Sequence, residues 1–259
     1  MGEDKTLNMI TINLIGSGNV AQHLISVLQQ TEGVVLQSVL VRNLKSISHL
    51  LTDEKIITIP EQLQPADVTI ISVTDSAISE VSNTIPFENQ LVVHTSGSMG
   101  LDVLNDKNRK GVFYPLQTFS KLKSIDFKEV PLCLETENES DYQLLETFGK
   151  SLSDKVFKIN SEQRQSLHVA AVFSCNFVNH LYQIGNEICD ENKVPFEILF
   201  PLIQETADKI KTLSPKEAQT GPAIRHDQKT IDKHLAFLND ETRKTIYQLL
   251  TQSIQNNNG

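Results

Sequence analysis

The chain has 259 residues, of which 39% are apolar, and its formal net charge is −9. This length suits two domains, and an acidic balance with no basic cluster argues against a nucleic acid as partner. The 3 cysteines show no Cys-x-x-Cys spacing and predict neither a disulfide framework nor a metal site. No apolar run approaches the ~18 residues of a membrane span. We therefore expect a cytoplasmic protein without membrane contact.

The first predicted elements are a strand, a tight turn and a helix. An apolar run over 10–15 leads into the pattern Gly-x-Gly-x-x-Ala, and residues 23–28 continue with helical spacing. Such a turn presents backbone N–H groups at a helix N-terminus, where the partial positive charge favours a pyrophosphate. The alternative is an ordinary turn that binds nothing. We predict a dinucleotide site formed by Gly16, Ser17, Gly18, Asn19 and Val20.

A second apolar strand over 34–41 completes a βαβ unit and ends where the adenosine ribose of a dinucleotide would lie. An Asp or Glu at this position would bind the 2′-hydroxyl of NAD. The chain instead has Arg42 and Asn43, with Lys45 behind them, and these residues suit a 2′-phosphate. We therefore predict NADP as the cofactor. In the alternative, Arg42 is only a solvated residue after a strand.

Strand and helix patterns then alternate up to about residue 160. This alternation predicts an α/β domain over 1–160, a Rossmann-type doubly wound, mostly parallel sheet with helices on both faces. In such a sheet, ligands bind beyond the carboxyl ends of the strands. The further predicted strands cover residues 55–59, 67–73, 90–95, 111–114, 130–134 and 156–159.

Two loops at those carboxyl ends are rich in small polar residues. We expect the first to line the cofactor phosphates and the nicotinamide-side ribose, and the second to lie near the nicotinamide. Ordinary turn chemistry explains the same composition, so their place in the βαβ order is what favours a site. The residues are Ser72, Val73, Thr74 and Asp75 in the first loop, and His94, Thr95, Ser96 and Gly97 in the second.

A third loop follows the strand over 111–114. It begins with Tyr114 and Pro115 and is predicted to form a wall of the substrate crevice. The sequence leaves open whether the peptide bond before Pro115 is cis or trans.

A change of character predicts an all-α second domain over 161–259. Residues 161–192 contain no Pro and one Gly, and Ser161 is predicted to cap a single long helix. The centre of this helix is apolar nearly all round, which is typical of a helix buried on most sides. The helices predicted in 195–213 and 227–254 are too few to wrap it. We therefore expect a homodimer through this domain; alternatively, the helix packs on its own first domain.

Polar side chains within the apolar helix are candidates for chemistry. Four of them fall on one helical stripe, Arg164, His168, Cys175 and Asn179, and Asn176 lies beside it. The simpler interpretation is a hydrogen-bonded core network. The first long helix after a Rossmann domain usually borders the nicotinamide cleft, however. On that basis we predict that His168 donates a proton to a carbonyl or imine, that Asn176 orients the same atom, and that Asn179 contacts substrate.

A tight polar loop over 219–227 separates two helical patterns. Its simpler role is a helix-to-helix turn with Asp227 as the cap of the next helix. Thr220 and Arg225 also suit a substrate carboxylate, because Arg binds carboxylates bidentately.

Together these segments resemble the bacterial Rossmann-like NADP oxidoreductases that carry a helical C-terminal domain of undefined function. That group is related to pyrroline-5-carboxylate reductase, deazaflavin-dependent NADP oxidoreductases and β-hydroxyacid dehydrogenases, and some members resemble ketopantoate reductase. The Lys-x-x-x-Asn pair of the β-hydroxyacid dehydrogenases is missing here, because Val172 lies four residues before Asn176. The resemblance spans essentially the whole chain and rests on residues 16–21, Arg42, 94–97, 114–119, His168 and 220–227.

The sequence thus predicts an NADP-dependent reductase for a small carbonyl or imine compound that bears a carboxylate, with ketopantoate as one candidate. A different class of function is a non-catalytic NADP-binding regulator. A third is a deazaflavin-dependent enzyme, in which NADPH would reduce a deazaflavin.

Overall fold

The computed structural model describes residues 9–120 and 123–257. The chain divides into two compact units, Met1–Cys175 and Asn176–Gly259. The first unit therefore extends past residue 160, where the sequence places the domain boundary, and includes the first turns of the predicted long helix.

One eight-stranded sheet forms the centre of the first unit. In chain order the strands are β1 Ile10–Ile15, β2 Val34–Leu40, β3 Ile56–Ile57, β4 Val68–Ile71, β5 Leu91–His94, β6 Arg109–Pro115, β7 Leu132–Thr136 and β8 Val156–Lys158. Their spatial order is β3-β2-β1-β4-β5-β6-β7-β8. β7 runs antiparallel to β6, and the other neighbouring pairs are parallel. The predicted mostly parallel α/β sheet is confirmed.

Apolar spacing explains how the helices of this unit pack. On α1 the buried residues are spaced three, one and three residues apart, as expected of one helix face: Ala21, Leu24, Ile25 and Leu28. Every residue of β4 and β5 is buried, which is typical of parallel strands covered on both faces. The helices are α1 Asn19–Leu28, α2 Ile78–Thr84, α3 Glu139–Leu152 and α4 Ser161–Ala171.

The strand order reverses between β1 and β4, and at such a switch point an α/β sheet binds its ligands. Backbone hydrogen bonds align the loops there. The Ser72 N–H donates to Ile15 O over 2.8 Å, and the Thr95 N–H donates to Ile71 O over 3.1 Å. The glycine-rich turn and both polar loops therefore leave the same edge of the sheet.

The predicted long helix over 161–192 forms three consecutive segments. α4 is followed by a π-helical segment, Val172–Phe177, and then by α5, Val178–Glu191. Its predicted cap is wrong by one residue. Asn160 caps α4 in a capping box with Gln163, because the Ser161 hydroxyl donates to Glu135 instead.

In the single chain this helix is mostly exposed, which agrees with the expectation that the helices of one chain are too few to wrap it. α4 buries only Arg164, and α5 buries no residue. Val169 is 51% exposed. An apolar composition leads to burial only where other segments cover the helix on most sides, and among the described residues of one chain they do not.

In its described part the second unit contains α5 and four further α-helices: α6 Phe200–Lys209, α7 Pro215–Ala218, α8 Gln228–Phe237 and α9 Glu241–Asn257. α5, α8 and α9 line an open apolar pocket of about 290 Å³. Arg243 joins α9 to α5 through Glu187 at 2.9 Å and Glu191 at 2.8 Å. Among the described apolar residues of this unit, only Ala223 and Ile231 are buried.

Candidate functional site

The glycine-rich turn connects β1 to α1, and its two glycines have different surroundings. Gly16 has a φ of +132°, and a Cβ placed on it would lie 2.0 Å from the Ser72 carbonyl oxygen. A Cβ on Gly18 would meet no protein atom within 4 Å. Gly16 is thus required by the fold, whereas Gly18 leaves space beside the turn. The third small residue, Ala21, is fully buried, which allows α1 to approach the sheet.

The N-terminus of α1 fits an anionic ligand. Its N-cap is Gly18, which has no side chain to cap the first N–H groups of the helix, and the first turn contains no acidic residue. The first N–H groups of a helix have no partner within the helix and favour negative charge. The free space at Gly18 is where a pyrophosphate would approach these groups.

Residues 42–45, shortly after β2, are exposed, as a 2′-phosphate site requires. Among the described residues, Arg42 forms no ion pair and no hydrogen bond through its side chain. Asn43 Oδ1 accepts a hydrogen bond from the Lys45 N–H at 3.0 Å, and the Ser46 hydroxyl donates to Asn43 O at 2.6 Å. Asn43 therefore shapes this turn, and Arg42 keeps its donors available.

The structure brings the two predicted polar loops together. Thr95 Oγ1 donates to Ser72 Oγ at 3.3 Å, and the Ser98 hydroxyl donates to the Asp75 carboxylate. Ser72 is buried, and Thr74 and Asp75 are exposed. The half-buried Val73 lies beside Gly16, within reach of a Cβ placed there.

His94 is fully buried, and its position does not support the predicted contact of its side chain with the cofactor. Nδ1 accepts from the Ser96 N–H at 3.1 Å, so Nε2 carries the proton that is donated to Gly100 O at 3.1 Å. Burial lowers the pKa of His94 to about 4, which keeps the ring neutral. Through its two hydrogen bonds the ring supports the loop after β5 from within.

Ser96 has a similar internal role. Its hydroxyl oxygen accepts from the Ser98 N–H and from the Met99 N–H, each at 3.1 Å, and the residue is 7% exposed. A preformed loop rather than a row of free hydroxyls therefore follows β5. Of the four residues predicted there, Thr95 has the most accessible side chain.

Three elements converge on His168. Tyr114 Oη on β6 lies 3.0 Å from His168 Nδ1 on α4. A Cβ on Gly97, in the loop after β5, would lie 2.6 Å from His168 Nδ1 and 2.7 Å from Tyr114 Cζ. Three residues predicted for different parts of the site thus share one contact. Pro115 is buried, and its peptide bond is trans.

Arg164 anchors α4 one turn before His168. It is 1% exposed, forms an ion pair with Glu135 on β7 and donates from Nη2 to Met99 O at 2.5 Å. Ser161 also bonds Glu135, through its N–H at 3.0 Å and through its hydroxyl. Glu135 was not among the predicted site residues. The available signal was an acidic residue directly after the apolar pattern of a predicted strand.

The loop after β6 lies against the first turn of α1. Asn19 Nδ2 donates to Phe119 O at 3.0 Å, and His23 Nε2 is 2.9 Å from Ser120 O. The Asn19 side chain is therefore used within the protein, and only its backbone N–H is left for a pyrophosphate. The two segments are about a hundred residues apart in the chain, and no sequence pattern links them.

The remaining predicted residues belong to the second unit. Asn176, Asn179, Thr220 and Arg225 are all exposed, and their roles stay predictions. Asp227 accepts from the Thr230 N–H at 3.1 Å and caps α8, so this prediction is confirmed. In the same loop His226 has a φ of +51°.

Metal ligands and membrane spans were also sought among the described residues. They include no group of three or more His, Cys, Asp or Glu side chains arranged to hold a metal ion. None of their helices combines the length and apolar character that crossing a membrane requires.

Comparison with known proteins links this architecture to a family. A model of a Rossmann-like domain matches residues 3–118, and a model described as a domain of unknown function, DUF2520, matches residues 130–254. The crystal structure of BF3122 from Bacteroides fragilis, described as a candidate NADP oxidoreductase, is 39% identical. It covers 97% of this chain and 100% of its own, with a TM-score of 0.88.

More distant structures share the fold. Protein TM1727 from Thermotoga maritima is 21% identical over 95% of this chain and 98% of its own, with a TM-score of 0.73. Pyrroline carboxylate reductase from Plasmodium falciparum, solved with NADP bound, is 11% identical over 97% of this chain and 99% of its own, with a TM-score of 0.59. No curated protein matches the chain. The chain belongs to the family of Rossmann-like oxidoreductases whose helical second domain is the domain of unknown function DUF2520.

Proposed function

We propose that the protein is an NADP-dependent reductase that transfers a hydride to a small carbonyl or imine compound bearing a carboxylate. The observation that carries the proposal is the convergence on His168. An imidazole is held by Gly97 and Tyr114 beside the strand ends of the sheet that carries the dinucleotide-binding turn. A titratable group at this edge of a Rossmann sheet is placed for proton transfer.

The cofactor assignment is supported by the fit of the turn and of Arg42. The open space at Gly18 and the unpaired N–H groups of α1 suit the pyrophosphate. Arg42 is exposed and has no carboxylate partner among the described residues, which suits the 2′-phosphate of NADP. When bound, NADPH supplies the hydride.

The protein then has to supply a proton. Reduction of a carbonyl places a hydride on carbon and a proton on oxygen; reduction of an imine places the proton on nitrogen. The His168 imidazolium gives its Nε2 proton to that atom and becomes neutral, and water returns the proton. Among the described residues Nε2 has no hydrogen-bond partner, so the donor is available.

The substrate side of the proposal rests on chemistry alone. Arg225 is exposed and forms no ion pair within the described residues, so its guanidinium can bind a carboxylate. Thr220, in the same loop, offers a hydroxyl, and Asn176 and Asn179 offer amides that hydrogen-bond an oxygen or nitrogen.

A homodimer through the second unit belongs to the same proposal. Among the described residues of this unit, twelve large apolar side chains are at least 38% exposed, including Ile198 at 64%, Phe200 at 57% and Leu202 at 62%. With only two buried apolar residues in its described part, this unit gains little free energy from apolar burial against the conformational entropy that its chain loses on folding. A second copy of the chain would bury this surface.

Turnover of a defined panel tests the function. We expect NADPH oxidation with at least one member of a set of 2-oxo acids, ketopantoate, cyclic imines and a deazaflavin, and slower oxidation by His168→Gln. Tight NADPH binding without oxidation across the panel would favour the non-catalytic regulator. Reduction of the deazaflavin alone would favour the deazaflavin-dependent enzyme.

A further inference from the structure

The hydroxyl of Tyr114 has a single polar partner among the described residues. Oη lies 3.0 Å from His168 Nδ1, and the two rings meet edge to face at 65° with centroids 6.1 Å apart. Tyr114 is 9% exposed and packs in a small apolar cluster with Val112 and Cys133. Because its surroundings are apolar, the hydroxyl satisfies its hydrogen-bonding capacity on the imidazole.

The direction of this hydrogen bond follows from the surroundings of the phenol: the buried hydroxyl has no other polar partner among the described residues, so its O–H is satisfied only by donating to Nδ1. Burial raises the pKa of Tyr114 to about 12, so the hydroxyl keeps its proton at neutral pH. A neutral imidazole has one nitrogen that donates and one that accepts. With Tyr114 as donor, Nδ1 of the neutral ring accepts and Nε2 bears the proton. When the ring is protonated, the hydroxyl oxygen accepts from Nδ1–H, and Nε2 still bears a proton.

Packing holds the ring in this orientation. Any side chain at position 97 would collide with His168 Nδ1 and with the Tyr114 hydroxyl, 2.6 Å and 2.8 Å from an added Cβ. Arg164, one turn earlier on α4, fixes the helix to Glu135. A rotation of the imidazole would break its only hydrogen bond among the described residues.

We propose that Tyr114 is a positioning residue that fixes the orientation of His168 and the tautomer of its resting neutral ring, so that Nε2 carries a proton before each transfer and Nδ1–H is held by the Tyr114 oxygen just after it. This role differs from the substrate contact predicted from the sequence. It rests on the proposed reductase function for its catalytic meaning, but the tautomer itself exists whether or not a substrate is found.

The tautomer is tested by nitrogen NMR on protein labelled with ¹⁵N-histidine. The chain has 7 histidines, and the signals lost in His168→Gln assign His168. In the neutral form we expect Nδ1 to show the shift of an unprotonated, hydrogen-bonded nitrogen and Nε2 that of a protonated one. In Tyr114→Phe the Nδ1 shift should move to that of a nitrogen without this donor. A protonated Nδ1 in the neutral wild type, or an unchanged Nδ1 shift in Tyr114→Phe, would overturn the proposal.

Kinetics with an identified substrate tests the consequence. Tyr114→Phe should lower kcat about tenfold, as expected for the loss of one hydrogen bond of about 1.4 kcal/mol, with KM nearly unchanged. The matched control is Tyr142→Phe on α3, where the buried ring keeps its packing and the lost hydroxyl lies 3.5 Å from Glu146; its kinetics should equal the wild type. A raised KM with unchanged kcat in Tyr114→Phe would make Tyr114 a substrate contact and overturn the proposal.

The two proposals fail in different ways. If NMR shows the expected tautomer but no substrate is reduced, the reductase function fails and the Tyr114–His168 assignment stands. If a substrate is reduced but Nδ1 is protonated in the neutral ring, the reductase function stands and the Tyr114–His168 assignment fails.

Discussion

The two glycines of the glycine-rich turn are needed for different reasons. A Cβ on Gly16 would penetrate the Ser72 carbonyl, at 2.0 Å, whereas the space beside Gly18 is empty of protein atoms. In the pattern Gly-x-Gly the fold therefore requires Gly16, and the space for a ligand requires Gly18. A pattern search treats both glycines alike, and the distances separate them.

Alanine at these two positions gives a matched pair. We expect Gly16→Ala to lower the free energy of unfolding by about 2 kcal/mol or more, from the clash and the positive φ. Gly18→Ala should stay within about 0.5 kcal/mol of the wild type but weaken NADPH binding roughly tenfold by blocking the approach to the helix N-terminus. Urea unfolding and fluorescence titration measure the two effects. Equal stability losses in the two variants would contradict this division.

His94 predicts a pH effect on stability. Its pKa is lowered from 6.5 to about 4 in the folded chain. Between these values the unfolded chain binds a proton that the folded chain does not, so acid favours unfolding. The contribution is fully present above about pH 6.5 and is lost as the pH falls towards 4, by up to about 3 kcal/mol.

The variant His94→Gln isolates this contribution, because all other titrating groups are shared. Urea unfolding should show the wild type losing stability relative to the variant as the pH falls from 6.5 to 4. A difference between the two proteins that does not change with pH would show that His94 is not buried as a neutral ring.

At the scale of elements, α4 is held to the sheet by a buried ion pair. Arg164 is 1% exposed, and the Glu135 side chain is 14% exposed. Breaking such a pair leaves a buried charge without its partner and typically costs about 3–5 kcal/mol. Replacing both partners with apolar residues removes that penalty.

We therefore expect Glu135→Leu and Arg164→Met each to be strongly destabilising, and the double variant to recover most of the loss. Because Arg164 lies one turn before His168, the double variant should regain stability but not full kcat. Thermal unfolding and turnover in the three variants measure this. Additive losses in the double variant would show that the two side chains act independently.

The elements of the first unit were largely predictable, and the contacts of the site were not. The strands around the switch point are apolar along their length because both faces are covered, and this pattern is local in sequence. The Tyr114–His168 contact joins residues 54 positions apart, and Glu135 lies 29 positions before Arg164. Such pairs depend on which strands become neighbours, which local periodicity does not encode.

The long helix was predictable in outline. The lack of Pro and the single Gly correctly predicted a helix, and the small number of other helices in the chain agrees with its exposure in the single chain. The π-helical segment over Val172–Phe177 has no signal in residue spacing. The assignment of Asn176 and Asn179 by ideal helical spacing therefore loses its geometric basis, since a π turn shifts the register.

At the scale of the whole molecule, the exposed apolar surface of the second unit leads us to expect a homodimer. Phe200 and Leu202 on α6 are 57% and 62% exposed. We expect sedimentation equilibrium to give about twice the chain mass of 29.0 kDa, and Leu202→Glu to shift the equilibrium towards the single chain. Glu205→Gln, on the same helix, is the control and should leave assembly unchanged. A wild type that stays at the mass of one chain at micromolar concentration would contradict the homodimer.

Transfer of deuterium from 4-deuterated NADPH to a product tests the central claim most directly. With a substrate found in the panel, the account predicts deuterium on the reduced carbon, solvent hydrogen on the neighbouring oxygen or nitrogen, and turnover lowered about a hundredfold in His168→Gln. NADPH that binds tightly but passes no deuterium to any member of the panel, or full transfer at the wild-type rate in His168→Gln, would contradict it.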